Sequence, residues 1–361
     1  MSASGLLRVK RAYRNAVVCY KKMHDRGCLP QGLFDVLTQG KYKESFWRSA
    51  LFASNDLYGI EKALLDYSNC QTSIYAPSEH GVYFGPYINR DETDATAYPL
   101  TLTFGPQRAM HLGALADMPA LQIGPYIYYA DKFLNQVQME SIKEKLGKIL
   151  LVFPMHSIET VRVRFDDAEL FAKVAELEEE HSIDTTFYCL YFHDVEQGLA
   201  QRFEHAGKRV VCAGHRMDPD FLPRLKSLIL LSDMTASNAI GTHIGYSEVL
   251  GRRHVLLETK SESTVEPELL ARGDEFKKKK NLEIEEVRRA FEDKDEVKRK
   301  DVLEKYWGIN QIREPEEMKI LLLEIASVYR EMHRKNLNAK EAIECSCALL
   351  RKAGTLDFVK G

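Results

Sequence analysis

The chain has 361 residues, of which 45% are hydrophobic and 29% charged; this allows two or three compact units and excludes a disordered chain. Its formal net charge of −3 gives no overall attraction to nucleic acid, so none is expected as a partner. No apolar run reaches the roughly 18 to 20 residues that cross a bilayer, and the N-terminus lacks the apolar core of a signal peptide, so a cytoplasmic protein is predicted.

In chain order, residues 6–27 read as one helix stopped by Gly27. Arg8, Lys10, Arg11, Arg14, Lys21, Lys22 and Arg26 make it strongly basic. The plain reading is a solvated helix packed on the first domain. The sharper one is a contact with an anionic membrane at the inner face of the cell, where each Lys or Arg adds about 1 kcal/mol. Short helices carry Phe46, Trp47 and Leu51, and then Tyr58 to Leu65. A strand over Thr72 to Ala76 leads into a loop bearing Glu79 and His80. Strand-like runs Leu100 to Phe104 and Ala120 to Ile123 each end in Gly-Pro, completing an α/β domain over residues 1–147.

A second strand and helix rhythm spans 148–262. The strand from Lys148 to Phe153 ends at His156 and Ser157, and a helix from Asp167 to Glu180 follows. The strand from Thr185 ends at His193 and Asp194; after a helix through Glu204, the strand Arg209 to Ala213 ends at Gly214 and His215. A helix from Phe221 precedes the stretch Leu228–Glu258. There an apolar strand, Leu228 to Leu231, is followed by a polar turn from Ser232 to Thr242, a helix stopped by Gly251, and a strand from His254 to Leu257. Four successive strands thus end in polar residues, the last in Ser232 and Asp233. Neighbouring parallel strands direct their carboxyl ends at one crevice. A helix start in that crevice offers unpaired N–H groups to a phosphate.

Residues 263–361 are helix formers and charge, interrupted by Tyr306 and Trp307, which are expected to anchor the segment on the body. Asp218-Pro219-Asp220 has the D-x-D spacing of a metal-dependent sugar transferase, but Asp218 beside Pro219 reads better as a cap, as does Asp166-Asp167. The metalloprotease, P-loop and nucleophile-elbow motifs are absent from the sequence. The seven cysteines lack zinc-knuckle spacing and read as free thiols.

The fold class read here is α/β: two Rossmann-like domains with a helical C-terminal extension. This resembles the GT-B glycosyltransferases, most specifically from Ser232-Asp233 through Gly241-Thr242 and Tyr246-Ser247-Glu248 to Leu257. Within them the chain is similar to sialyltransferase-like, Kdo-transferase-like and CDP-glycerol-transferase-like enzymes of bacterial surface-polysaccharide assembly. His193 stands where those families carry the His of a His-Pro pair, with Asp194 in place of Pro. Thr235, Ser237 and Asn238 stand at their later hydroxyl pair. The resemblance implies metal-independent and cofactor-free sugar transfer from a nucleotide-activated donor, CMP-linked by preference, to a glycan or lipid-linked acceptor. It implies donor contacts from His193, Thr235, Ser237 and Asn238, with Glu248 on the ribose hydroxyls, and the strand tips and polar turn add His156, Ser157, Asp194, His215, Thr242 and His243 as candidates. Glu79 and His80 are the candidate catalytic bases, in competition with Asp91 and Glu92. A nucleotide-sugar epimerase or hydrolase, and a non-catalytic nucleotide-sugar-binding protein, remain as alternatives.

Overall fold

The computed structural model describes residues 53–86, 88, 98–116, 119–156, 161–265, 274–293, 295–337 and 339–352. The basic segment 6–27, Ser157, Asp91 and Glu92 lie outside the described residues. The chain divides into two compact units, one built from Asp131–Gly273 and one from Glu44–Ala130 together with Asp274–Gly361. The C-terminal helices therefore share a unit with the N-terminal α/β segment, and the two units divide at 130/131 and 273/274.

In the split unit, α1 (Ile60–Ser68) precedes β1 (Thr101–Thr103), α2 (Pro106–Ala116) and β2 (Ala120–Gln122). Strands β1 and β2 pair in parallel with Thr101 opposite Ala120. The strand expected at Thr72 to Ala76 does not form there. The extended chain pairs slightly later, through a bridge of Ser78 with Leu102, using the Glu79 N–H to Leu102 C=O and the Leu102 N–H to Pro77 C=O.

The contiguous unit begins with α3 (Gln136–Leu146) and β3 (Ile149–Phe153), and then β4 (Val161–Phe165), α4 (Asp167–Glu180) and β5 (Thr185–Cys189). It continues through α5 (Phe192–Glu196), α6 (Leu199–His205), β6 (Arg209–Val211), α7 (Phe221–Leu231), β7 (Met234–Ser237), α8 (Thr242–Val249), β8 (His254–Leu256) and β9 (Ser261–Val265). Five strands form one sheet in the order β6-β5-β3-β7-β8, every pairing parallel. Because both faces of β3 are covered, it reads as the unbroken apolar run ILLVF with every residue buried. Helix α4 starts where Asp166 accepts hydrogen bonds from the Ala168 and Glu169 N–H groups, as a capping Asp does. Its stripe of Leu170, Val174 and Leu177 packs in one core with Leu150, Val152, Tyr188 and Val210. Burial of each such aliphatic side chain contributes about 1.5–3 kcal/mol, so a charge at Val174 would break this layer. Strands β4 and β9, which the sequence pattern does not suggest, pair antiparallel.

The apolar run Leu228 to Leu231 is not a strand but the last turn of α7. That helix is buried on nearly every side, at Leu222, Leu225, Leu228, Ile229 and Leu231 among others, and a helix apolar all round has no polar stripe to reveal its period. The strand starts at Met234 instead. Ser232 and Asp233 consequently sit at the amino end of β7, and its carboxyl tip is Ser237-Asn238.

The C-terminal helices are α9 (Asp274–Glu292), α10 (Glu296–Val302), α11 (Pro315–Lys335) and α12 (Ala339–Lys352), with a π turn over Leu303–Trp307. Trp307 and Tyr306 are fully buried and pack on Phe84. The turn approaches so closely that a Cβ on Gly105 would lie 2.8 Å from the Lys305 carbonyl oxygen. These two aromatics anchor the charged segment as expected.

Candidate functional site

The strand order runs outward from β3 to β6, then returns to the other side of β3 for β7 and β8. The order thus reverses between β3 and β7, the arrangement at which open parallel sheets place a ligand crevice, at the carboxyl ends of the strands. Asn238, at the β7 tip, is buried and ties the crevice together. Its Oδ1 accepts from the Met155 N–H at 2.7 Å, and its Nδ2 donates to Thr259 Oγ1 at 3.0 Å. One amide thus spans the ends of three adjacent strands.

His156 follows Met155 and is exposed, its ring 4.7 Å from that of Tyr191. The surrounding protein mass, and then the His193 imidazole, lower its pKa to about 4. Its side chain is nonetheless exposed to solvent. His193 is half-buried in the first turn of α5, with the Gln197 amide 2.9 Å from Nε2. His243 lies in the first turn of α8, half-buried and stacked on Phe153 with ring centroids 5.0 Å apart. Its Nε2 donates to the Ala239 carbonyl at 3.2 Å. Burial, and then His156, push its pKa down to about 3. Both His156 and His243 are therefore neutral near pH 7. Helix α8 has Gly241 at its N-cap without a side-chain cap, and Thr242 as its first residue.

Other candidates are placed elsewhere. Thr235 Oγ1 and Ser237 Oγ are completely buried and bond to opposite nitrogens of His254, at 2.8 Å to Nδ1 and 2.9 Å to Nε2. Ser237 Oγ donates its proton to the Ala239 carbonyl, so it accepts from His254 Nε2–H, and His254 Nδ1 accepts from Thr235. Glu248 sits near the end of α8, where its Oε1 accepts from the His254 N–H at 2.7 Å. Since His254 opens β8, Glu248 lies at the amino edge of the sheet, far from the ribose position expected of it. Asp233 is also at that edge, accepting from the Ile149 N–H and from Lys143 Nζ.

At the β6 tip, His215 is buried against the Phe192 ring, with Nδ1 accepting from the Met217 N–H at 3.1 Å. Burial, followed by Arg216, lowers its pKa to about 3. Asp194 is buried as well. Asp218 serves neither a metal nor the cap of α7: its Oδ1 accepts from the Asp220 N–H, and its Oδ2 pairs with buried Arg224 at 2.6 Å. In the split unit, Glu79 is buried and saturated by Arg108 at 2.6 Å and by the Thr103 hydroxyl at 2.7 Å. His80 is half-buried, with the Tyr83 hydroxyl 3.1 Å from Nε2.

The carboxyl ends of β3, β5 and β7 thus bring together His156, His193, His243 and Asn238. Sequence reasoning missed Tyr191, Thr259 and His254. Pairing the strand MTAS with HVL in parallel would have revealed His254, which stands opposite Thr235. Among the described residues no group of three His, Cys, Asp or Glu could hold a metal ion, and no helix is long and apolar enough to cross a membrane.

No family model matches the chain, and no curated protein matches it. Several solved structures overlap it at low identity, among them the following three. The wall teichoic acid polymerase TagF is 11% identical over 73% of this chain and 69% of that chain, with a TM-score of 0.39. The S. aureus MnaA–UDP structure is 15% identical over 66% and 62%, with a TM-score of 0.34. A UDP-GlcNAc 2-epimerase from Neisseria meningitidis bound to UDP-GlcNAc is 14% identical over 65% and 62%, with a TM-score of 0.30. The α/β class rests on the sheet described above.

Proposed function

We propose that the chain is a metal-independent glycosyltransferase of the GT-B type. In this reading the crevice between β3 and β7 binds a nucleotide-activated sugar, CMP-linked by preference, for transfer to a glycan or lipid-linked acceptor of bacterial surface polysaccharide. The observation that carries it is the reversal of strand order between β3 and β7, with open His156 and half-buried His243 at that point. A neutral His156 has one N–H to give a phosphate oxygen, and negative charge there would raise its pKa and allow a second.

In the transfer, the acceptor oxygen attacks the anomeric carbon, the bond from that carbon to the phosphate oxygen breaks, and the nucleotide leaves with the electron pair. The acceptor proton needs a base. Of the two candidate bases, Glu79 is released, because its carboxylate is already bonded to Arg108 and Thr103. Among the donor contacts this reading keeps His156, His193, Thr242 and His243, with Asn238 as their tie, and releases Thr235, Ser237 and Glu248.

A thermal-shift screen of CMP, UDP and GDP tests the reading. Ligand at a hundredfold excess over its Kd adds about 2.7 kcal/mol of stability. Stabilisation by CMP above the others is expected. No shift with any nucleotide would remove the donor site, and sugar release without an acceptor would turn the assignment to a hydrolase or epimerase.

A further inference from the structure

The resemblance implies a carboxylate on the ribose hydroxyls, yet Glu248 is at the opposite edge of the sheet, bonded to the His254 N–H. A neutral nucleoside binds through donors as well as acceptors, so the crevice needs another acceptor. The hydrogen bonds around Ala239 supply one. Its carbonyl accepts from Ser237 Oγ at 2.7 Å and from His243 Nε2 at 3.2 Å. A carbonyl cannot donate, so the proton of a neutral His243 is on Nε2 and the lone pair is on Nδ1. Among the described residues Nδ1 makes no hydrogen bond. It lies beside Gly241, where a Cβ would come within 3.2 Å of it.

A half-turn of the ring would keep its stacking on Phe153 but would set Cε1 against the Ala239 carbonyl, so the Nε2–H bond holds the orientation. That carbonyl is itself fixed by Ser237, whose hydroxyl accepts from buried His254. We propose that His243 Nδ1 is the specificity-determining acceptor of the crevice and takes a hydrogen bond from an O–H or N–H of the bound nucleoside. This rests on the donor-site reading. The low pKa of His243 keeps the lone pair available at neutral pH.

Calorimetric titrations of CMP, 2′-deoxy-CMP, UMP and inorganic pyrophosphate into the wild type and His243→Phe test it. Phenylalanine keeps the stacking and leaves the Ala239 carbonyl satisfied by Ser237. The wild type is expected to favour CMP over 2′-deoxy-CMP, or over UMP, by about threefold to tenfold, the range of one hydrogen bond. The first preference identifies the ribose hydroxyl as the donor and the second the cytosine amino group. In His243→Phe the same preference falls to about one while pyrophosphate binding is unchanged. Equal weakening of all four probes, or preferences unaltered by the substitution, would overturn the inference while leaving nucleotide binding intact. No nucleotide binding by the wild type would overturn both this and the donor site. Nitrogen NMR of His243 gives a check without substitution: protonation at Nε2 alone at pH 7 is expected, and an Nδ1–H tautomer or a charged ring would contradict it.

Discussion

The carboxyl edge of the sheet carries histidines at its centre and at its flank, and they have opposite fates. At the flank, after β6, His215 is 2% exposed and accepts from the Met217 N–H, beside an Asp218–Arg224 pair with almost no exposed surface. At the centre, His156 is open and His243 half-buried. The difference lies in where the chain goes next. After β6, the loop folds under Arg224 of α7 and spends its polar groups on itself. After β3 and β7, the strand order reverses, His156 faces solvent, and His243 bonds the Ala239 carbonyl through Nε2 alone. A histidine at a strand tip is informative only when the fold has not already used it.

The comparison can be broken first at the flank. Asp218→Ala leaves Arg224 charged and buried, and loss of one partner from such a pair costs about 3–5 kcal/mol. Urea unfolding should show that loss, with CMP affinity of the remaining folded protein little changed. A large effect on affinity alone would mean that the flank belongs to the site. Asn238→Ala sits between the two regions. It strands the half-buried Met155 N–H, at about 1 kcal/mol, and by freeing the His156 turn it should also weaken CMP several-fold, as read by calorimetry.

Acid sharpens the contrast. His156, His215 and His243 all have pKa values below 6.5 in the folded protein, so between about pH 6.5 and 4 the unfolded chain binds more protons. Their contribution is complete above pH 6.5 and declines as pH falls through that window. The urea midpoint should drop from pH 7 to pH 5, and His215→Gln should flatten that limb. CMP binding should move the other way. A phosphate beside His156 raises its pKa, so binding takes up protons and tightens as pH falls.

Much of the scaffold was legible in the residues. The run ILLVF, the capped helix after Asp166 and the Trp307 anchor needed only hydrophobic period and capping. The misreading of Leu228 to Leu231 came from a buried helix, and it carried Ser232 and Asp233 to the wrong end of β7. Asp233 shows what that end does. Burial pushes its pKa up, but the Lys143 ammonium, the Ile149 N–H and Arg252 outweigh burial and hold it below the usual value. The hydroxyls of Thr235 and Ser237 were visible, whereas their direction depended on His254 across the strand pair. Sequence marked the polar residues of this edge, and topology decided which of them remained available.

The most direct test is a calorimetric titration of CMP into the wild type and His156→Ala. Because His156 is exposed, the substitution should change stability by no more than about 0.5 kcal/mol. The account predicts an affinity about tenfold lower, equivalent to about 1.4 kcal/mol. Equal affinity in the two proteins would contradict a donor site between β3 and β7.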